Sequence, residues 1–460
     1  GSLAQQVADK YGFGPMVTGL LDPNPFWFSL VLEGDGETAP VPLPPELDKA
    51  GMERSIEAAL KRFSPGFLKT VAVLAPQAGP AFGGMRMETG GPRFDMLREV
   101  LGENLRLKDA DLKDGRVPTD ADLLLILSPE GLNEKQLFAV DQFLMQGGTV
   151  ALATAPYSAK VDRSITARQV NSGLKDWLEN HGLTLTESMV LDPDNAALPV
   201  PVERNLGGFV VQEIRMLDYP YFPSVRGEGL NPDTPLTSAL GEVAMTWASP
   251  INLDQKKNDQ RQVTWLLRSS PASWTSDSIE VLPDFQRFPR WGFDTGEKRE
   301  AHTLALAVQG RFESWFAGKD SPLAKPEEPE PGEAAPDAEI EAEETKEDAK
   351  DEQPLISGVI ERSPESARII LFASNDFLTD DALALAGQGL GTVYTKPIEL
   401  VQNAIDWALD EGGLAGIRSR GHFARTLAPM ERNSQLFWEY LNYVLAVLGL
   451  VLIWLLRRRV

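Results

Sequence analysis

DLLLILSPEGLNEKQLFAVDQFLMQGGTVALA, residues 122–153, decides the fold class. Asp122 to Leu127 is a short, nearly unbroken apolar run, which is how a strand buried on both faces reads. After Ser128-Pro129, Asn133 is followed three residues later by Gln136, the spacing of a capping box at a helix start. The helix beyond it turns Leu137, Val140, Phe143 and Leu144 to one side. Gly147 and Gly148 end it, and Thr149 to Ala153 is a second apolar strand. Solid apolar strands alternating with helices imply a mainly parallel sheet covered on both faces.

The same grammar extends outward. Thr70 to Leu74 is a strand bounded by Pro76, a Gly-rich loop runs from Gly79 to Gly91, and a helix covers about Phe94 to Leu101. A helix from Ser172 to Asn180, with Leu174, Trp177 and Leu178 inward, leads to a strand over Leu185 to Leu191. Phe209 to Leu217 and Val263 to Leu267 are further strands, whereas Tyr219 to Pro223 and Asp277 to Gly296 read as irregular. Arg368 to Phe372 is again a buried strand and Leu400 to Leu409 a helix. Between them Ser321 to Pro354 holds thirteen Asp or Glu against three Lys and almost no large apolar side chain. Such a segment buries too little to offset its ordering entropy, so 321–354 is expected to be a disordered acidic insertion. The expected architecture is α/β and Rossmann-like, one domain formed by 67–320 and 355–428. Residues 1–66, with a strand at Trp27 to Leu32 and a helix near Leu47 to Phe63, read as the tail of an upstream element, and the Gly-Ser start suggests truncation.

A net charge of −23 opposes phosphate backbones, so nucleic acid is not an expected partner. With no cysteine, disulfides, thiolate metal sites and Cys nucleophiles are excluded. His181, His302 and His422 have no metal-ligand spacing, so neither metal nor cofactor is expected.

FWEYLNYVLAVLGLVLIWLL, residues 437–456, is long enough as a helix to span the ~30 Å hydrocarbon core. Trp438, Tyr440 and Tyr443 at one end and Trp454 at the other suit the aromatic belts of the two interfaces. Arg457, Arg458 and Arg459 follow, and residues 457–460 are expected in the cytoplasm by the positive-inside rule. The preceding domain is then extracytoplasmic, on a bacterial inner membrane.

Few positions suggest chemistry. The loop Gly79 to Gly91 follows a strand but has neither phosphate-loop spacing. Ser128 ends a strand, yet it lacks a G-x-S-x-G setting and is followed by Pro129. Asn375 and Asp376 sit at a strand carboxyl end, the usual ligand position in open α/β sheets, although Asp376 equally suits the cap of the next helix. Ser128, Asn375 and Asp376 are therefore the candidate ligand-binding residues. Tyr219, Tyr221, Phe222 and Trp247 are more readily core than a sugar- or peptide-binding group.

Several segments in order carry a resemblance: SPEGLNEKQL (128–137), GGTV (147–150), TWASP (246–250), LLRSSPASW (266–274), ASNDF (373–377), QNAIDWA (402–408) and IRSR (417–420). With the terminal anchor, they resemble the auxiliary proteins of gliding-motility-type ABC transporters. The resemblance implies an extracytoplasmic domain similar in fold to class I glutamine amidotransferases, beside a separate ABC ATPase and an ABC-2-type permease. It also implies an N-terminal membrane helix upstream of Gly1. Amidotransferase activity does not carry over, because its Cys nucleophile is missing. No Walker motif is present. The expectation is a non-catalytic accessory subunit that docks on a permease and binds or guides cargo. Two alternatives are a membrane-tethered envelope hydrolase using carboxylates and a structural spacer.

Overall fold

The computed structural model describes residues 68–409 except 77–90, 162–163, 207–208, 297, 325–358 and 391–393, together with 30–34, 37–41, 56, 437–445 and 448. In chain order the strands are β1 (Leu30–Gly34), β2 (Glu37–Val41), β3 (Thr70–Leu74), β4 (Arg106–Asp109), β5 (Leu123–Leu127), β6 (Thr149–Ala153), β7 (Tyr157–Val161), β8 (Ile165–Gln169), β9 (Leu183–Leu185), β10 (Met189–Leu191), β11 (Asn195–Leu206), β12 (Phe209–Arg226), β13 (Glu242–Ala244), β14 (Ile251–Leu253), β15 (Gln262–Arg268), β16 (Trp274–Ser276), β17 (Thr303–Gln309) and β18 (Arg368–Phe372). The main sheet has the order β15-β17-β18-β6-β5-β3-β4. From β18 to β4 every pairing is parallel, and β17 and β15 add an antiparallel edge.

The strands divide their side chains between two cores. Val71, Val73, Leu123, Leu125, Leu127, Ile370 and Phe372 face one. Ala72, Leu124, Ile126, Val150, Leu152, Ile369 and Leu371 face the other. Helices Asp95–Gly102 and Lys396–Leu409 cover the first core through Leu97, Leu101, Ile398, Val401 and Ile405. Helices Glu134–Met145 and Lys175–Asn180 cover the second through Leu137, Phe138, Val140, Leu144, Trp177 and Leu178. Each large aliphatic side chain so buried contributes about 2 kcal/mol of transfer free energy. The capping box is present: Gln136 N–H donates to Asn133 Oδ1 at 2.9 Å, and Asn133 N–H to Gln136 Oε1 at 3.1 Å.

The mainly parallel α/β expectation holds, with several differences in detail. Leu185–Leu191 is not one strand: Thr186, Glu187 and Ser188 interrupt it, so β9 pairs with β14 and β10 with β16. Tyr219–Pro223 is not irregular but part of the long β12, which pairs with β11 over most of its length. β17 lies between β15 and β18, so the strands on either side of the acidic stretch are hydrogen-bonded neighbours. Of the stretch 321–354 expected to be disordered, Ser321 is buried and Pro322–Ala324 form a 3-10 turn with Leu323 against the second core, while 325–354 lie outside the described residues. Of the N-terminal strand expected over 27–32, Leu30 to Leu32 fall in β1, which pairs with β2, and 27–29 lie outside the described residues; of the expected helix over 47–63 only Ile56 is described.

Residues 416–460 form a separate compact unit, in which 437–445 are helical. No helix among the described residues is long and apolar enough to cross a membrane. Trp454, Arg457, Arg458 and Arg459 lie outside the described residues.

Gly173 joins β8 to the helix Lys175–Asn180 with φ at +79°, and a Cβ there would lie 2.5 Å from the carbonyl oxygen of Leu132 and 2.8 Å from its nitrogen. The obstruction is backbone, which no rotamer change relieves. Gly173→Ala is expected to lower unfolding free energy by about 3 kcal/mol, read from urea midpoints.

Candidate functional site

The parallel strands β5, β6 and β18 end side by side, and the chain turns polar at that line. Ser128 follows β5 with φ at 44°, and its N–H donates to Ala153 O at 2.9 Å. Its hydroxyl donates to the carbonyl of Asn375 in a short hydrogen bond. Asn375 follows β18 and is almost completely engaged. Its Nδ2 donates to Ala155 O at 2.8 Å and Tyr157 O at 2.7 Å, and its Oδ1 accepts from Ala155 N–H at 3.3 Å. Asp376 accepts from Ser158 Oγ and from the Ala159 N–H, both at 2.8 Å.

The three candidate residues are thus gathered into one network, and all three are buried. The side chains of Asn375 and Asp376 bond the chain's own Ala155–Ala159, the run that enters the β7–β8 hairpin, and Ser128 joins them through Asn375. Where open α/β sheets hold a ligand, this chain lays down its own backbone. Asp376 does not cap the following helix, Asp380–Leu390. Thr379 does so, its Oγ1 accepting from Ala382 N–H at 3.3 Å. Asp380 reaches instead to the start of another helix, accepting from Asp95 N–H at 3.1 Å and Met96 N–H at 3.0 Å.

Burial pushes the Asp376 carboxyl up to about 7, against the pull of the Ala159 and Ser158 hydrogen bonds and of nearby Arg168. Two further buried carboxylates were not legible in the sequence. Asp141 accepts from Trp177 Nε1 at 3.0 Å, Trp315 N–H at 2.9 Å, Ser314 Oγ at 2.5 Å and Gln142 Nε2 at 3.0 Å. Asp192 accepts from Ser270 N–H and Oγ, both at 2.6 Å. Burial raises both pKa values, and both groups tie distant segments together. His181 is sealed edge-on against Trp177 and Phe312, with burial holding its pKa down to about 3. It is neutral and remote from proton chemistry near pH 7.

The aromatic group is core. Tyr219, Tyr221, Phe222 and Trp247 are all buried, with Phe222 4.8 Å from both Tyr219 and Trp247 between ring centroids. Among the described residues no cluster of His, Asp and Glu is arranged to hold a metal. A cleft of about 1090 Å³ runs along the carboxyl ends of β3 and β4, lined by both signs of charge. In its wall Arg98 bonds Asp109 at 2.7 Å and Lys108 bonds Asp120 at 2.8 Å. Residues 79–90 of the Gly-rich loop lie outside the described residues.

Residues 68–404, from β3 to the last sheet-covering helix, match a family of ABC transporter auxiliary proteins described as an ABC-type uncharacterized transport system. The chain belongs to this family. The match spans the whole main sheet, so the sealed strand ends lie within the family's own domain. No curated protein matches the sequence. Among solved structures, the mmIFT52 N-terminal domain is 8% identical with a TM-score of 0.38, covering 75% of this chain and 99% of its own. A putative ThuA-like protein from Bacteroides uniformis is 12% identical with a TM-score of 0.34, covering 75% and 93%. Likeness this loose carries no argument about what an auxiliary protein does.

Two outcomes test the clamp. Asn375→Ala strands the buried carbonyls of Ala155 and Tyr157 and is expected to cost about 3 kcal/mol of unfolding free energy. For Asp376 the folded carboxyl titrates near 7 against an ordinary value of 3.8. The folded state therefore holds the proton between those values, and the stability it contributes is complete below about 4 and lost as pH rises to about 7. Asp376→Asn has no such loss. It should gain on the wild type across that interval and hold a constant difference above about 7, as read from urea melts at stepped pH.

Proposed function

We propose that this chain is a non-catalytic accessory subunit of an ABC-2-type transport system, with its α/β body outside the cytoplasmic membrane, docked on the permease and guiding cargo. The observation that carries the reading is the engagement of the strand-end polar groups. In a family of transport auxiliaries, the position where this sheet architecture places chemistry is filled by Ala155–Ala159. Both Asp376 oxygens accept from the chain itself, which disfavours a carboxylate hydrolase working from that end.

The membrane attachment rests on the C-terminal unit. Phe437, Trp438, Tyr440, Tyr443, Val444, Leu445 and Leu448 are exposed, and they belong to the helical positions described there. Apolar side chains over most of a helix's circumference, with Glu439 and Asn442 on the remaining side, suit lipid more than water. The sequence continues apolar to Leu456 and then Arg457–Arg459, as a cytoplasmic end requires. The acidic insertion, 321–354, stays with the same outer domain.

Purification of the full-length protein from detergent-solubilised membranes, with mass spectrometry of what accompanies it, tests the proposal. An ABC ATPase and a multi-span permease should co-purify and be lost when 437–459 is exchanged for an unrelated anchor. A protein that consistently purifies alone would overturn it.

A further inference from the structure

At its base the β11–β12 ribbon packs against the body, where Leu198 and Val200 meet Ala382 and Leu385. Among the described residues, β12 has β11 on one side from Phe209 to Asp218 and no strand on the other, since β13 joins only at Ser224–Arg226. An unpaired strand edge is a template for another strand.

The two edges of this ribbon differ. Pro199 pairs with Met216 and Pro201 with Ile214. Proline has no N–H, so both pairs belong to the class that exchanges no hydrogen bonds within the ribbon. On the β11 edge the outward positions 199 and 201 therefore offer no donor, which blunts that edge. On β12 the N–H and C=O of Ile214 and Met216 point away from β11, and both side chains are exposed, at 63% and 40%. Glu213 and Arg215, on the opposite face, are also exposed.

We propose that this edge is the contact with a second copy of the chain: β12 pairs antiparallel with β12 of the copy about a two-fold axis through Ile214. Hydrogen bonding and charge select the same register. Centred on Ile214, the outward groups of residue 214 meet their own counterparts, and residue 212 meets 216 of the copy, all in hydrogen-bonding phase. Glu213 then lies opposite Arg215 of the copy, and the reverse pair forms by symmetry. A register centred on Arg215 sets arginine against arginine, and one centred on Glu213 sets glutamate against glutamate, each of which is destabilising. An isologous contact needs a self-complementary surface, and the Glu-Ile-Arg order of residues 213–215 is one.

The absence of native cysteine makes the test clean. In the proposed dimer the two 214 positions have Cα atoms about 5.5 Å apart, within disulfide reach. The two 218 positions lie about 27 Å apart, at eight residues of strand. In the full-length protein, Ile214→Cys should oxidise to a covalent dimer in large excess over Asp218→Cys. Glu213→Arg should weaken dimerisation about tenfold, and the exchange Glu213→Arg with Arg215→Glu should restore it. Rescue by the exchange separates a lost contact from a lost fold. Equal cross-linking at 214 and 218, none at 214, or a charge reversal without effect or without rescue would each overturn the proposal.

Discussion

Because Leu124 and Ile126 project into one core while Leu123, Leu125 and Leu127 project into the other, no polar side chain fits along β5, and the first position open to one is Ser128. The same holds along β18, where Ile369 to Phe372 alternate between the cores and Asn375 and Asp376 come just beyond. Burial on both faces therefore pushes all polar chemistry of these strands to their ends. There the dipolar groups must find partners, since unpaired buried donors and carboxylates are costly. The β7–β8 entry supplies them, so the hairpin and the sheet hold each other in place.

This constraint explains what could be read in advance. β3, β5, β6 and β18 were legible because two-faced burial writes itself as a continuous apolar run, and Asn133 with Gln136 marked a helix start through local spacing alone. β17, Thr303–Gln309, carries the same signal, masked by the Pro- and aromatic-rich stretch that precedes it. The hairpins were harder. β7 and β8 are partly exposed and mix polar with apolar residues, and β11 contains Pro199 and Pro201, which ordinarily demote a strand. The break in Leu185–Leu191 depends on which strands β9 and β10 find, information that is not local.

The candidate site was legible by position and illegible by use. Strand-end placement selected Ser128, Asn375 and Asp376, and they do converge. That the side-chain hydrogen bonds of Asn375 and Asp376 go to Ala155–Ala159 could not be read without knowing where the β7–β8 hairpin folds back. Asp141 and Asp192 are illegible for the same reason, since their partners lie as far as 174 and 78 residues away.

The placement of β17 beside β18 has a bearing on how such a chain changes over evolutionary time. Gln309 and Arg368 are partners across the sheet, and the adjacency continues outward to Glu313 and Arg362. Whatever length of chain lies between these points begins and ends at neighbouring positions on one rim. Lengthening it leaves every strand register intact, and loop-closure entropy rises by only about 0.6 kcal/mol for each doubling. Drift in the length and charge of the acidic tract is therefore nearly free of selection through folding, so whatever constrains it must act on the assembled system.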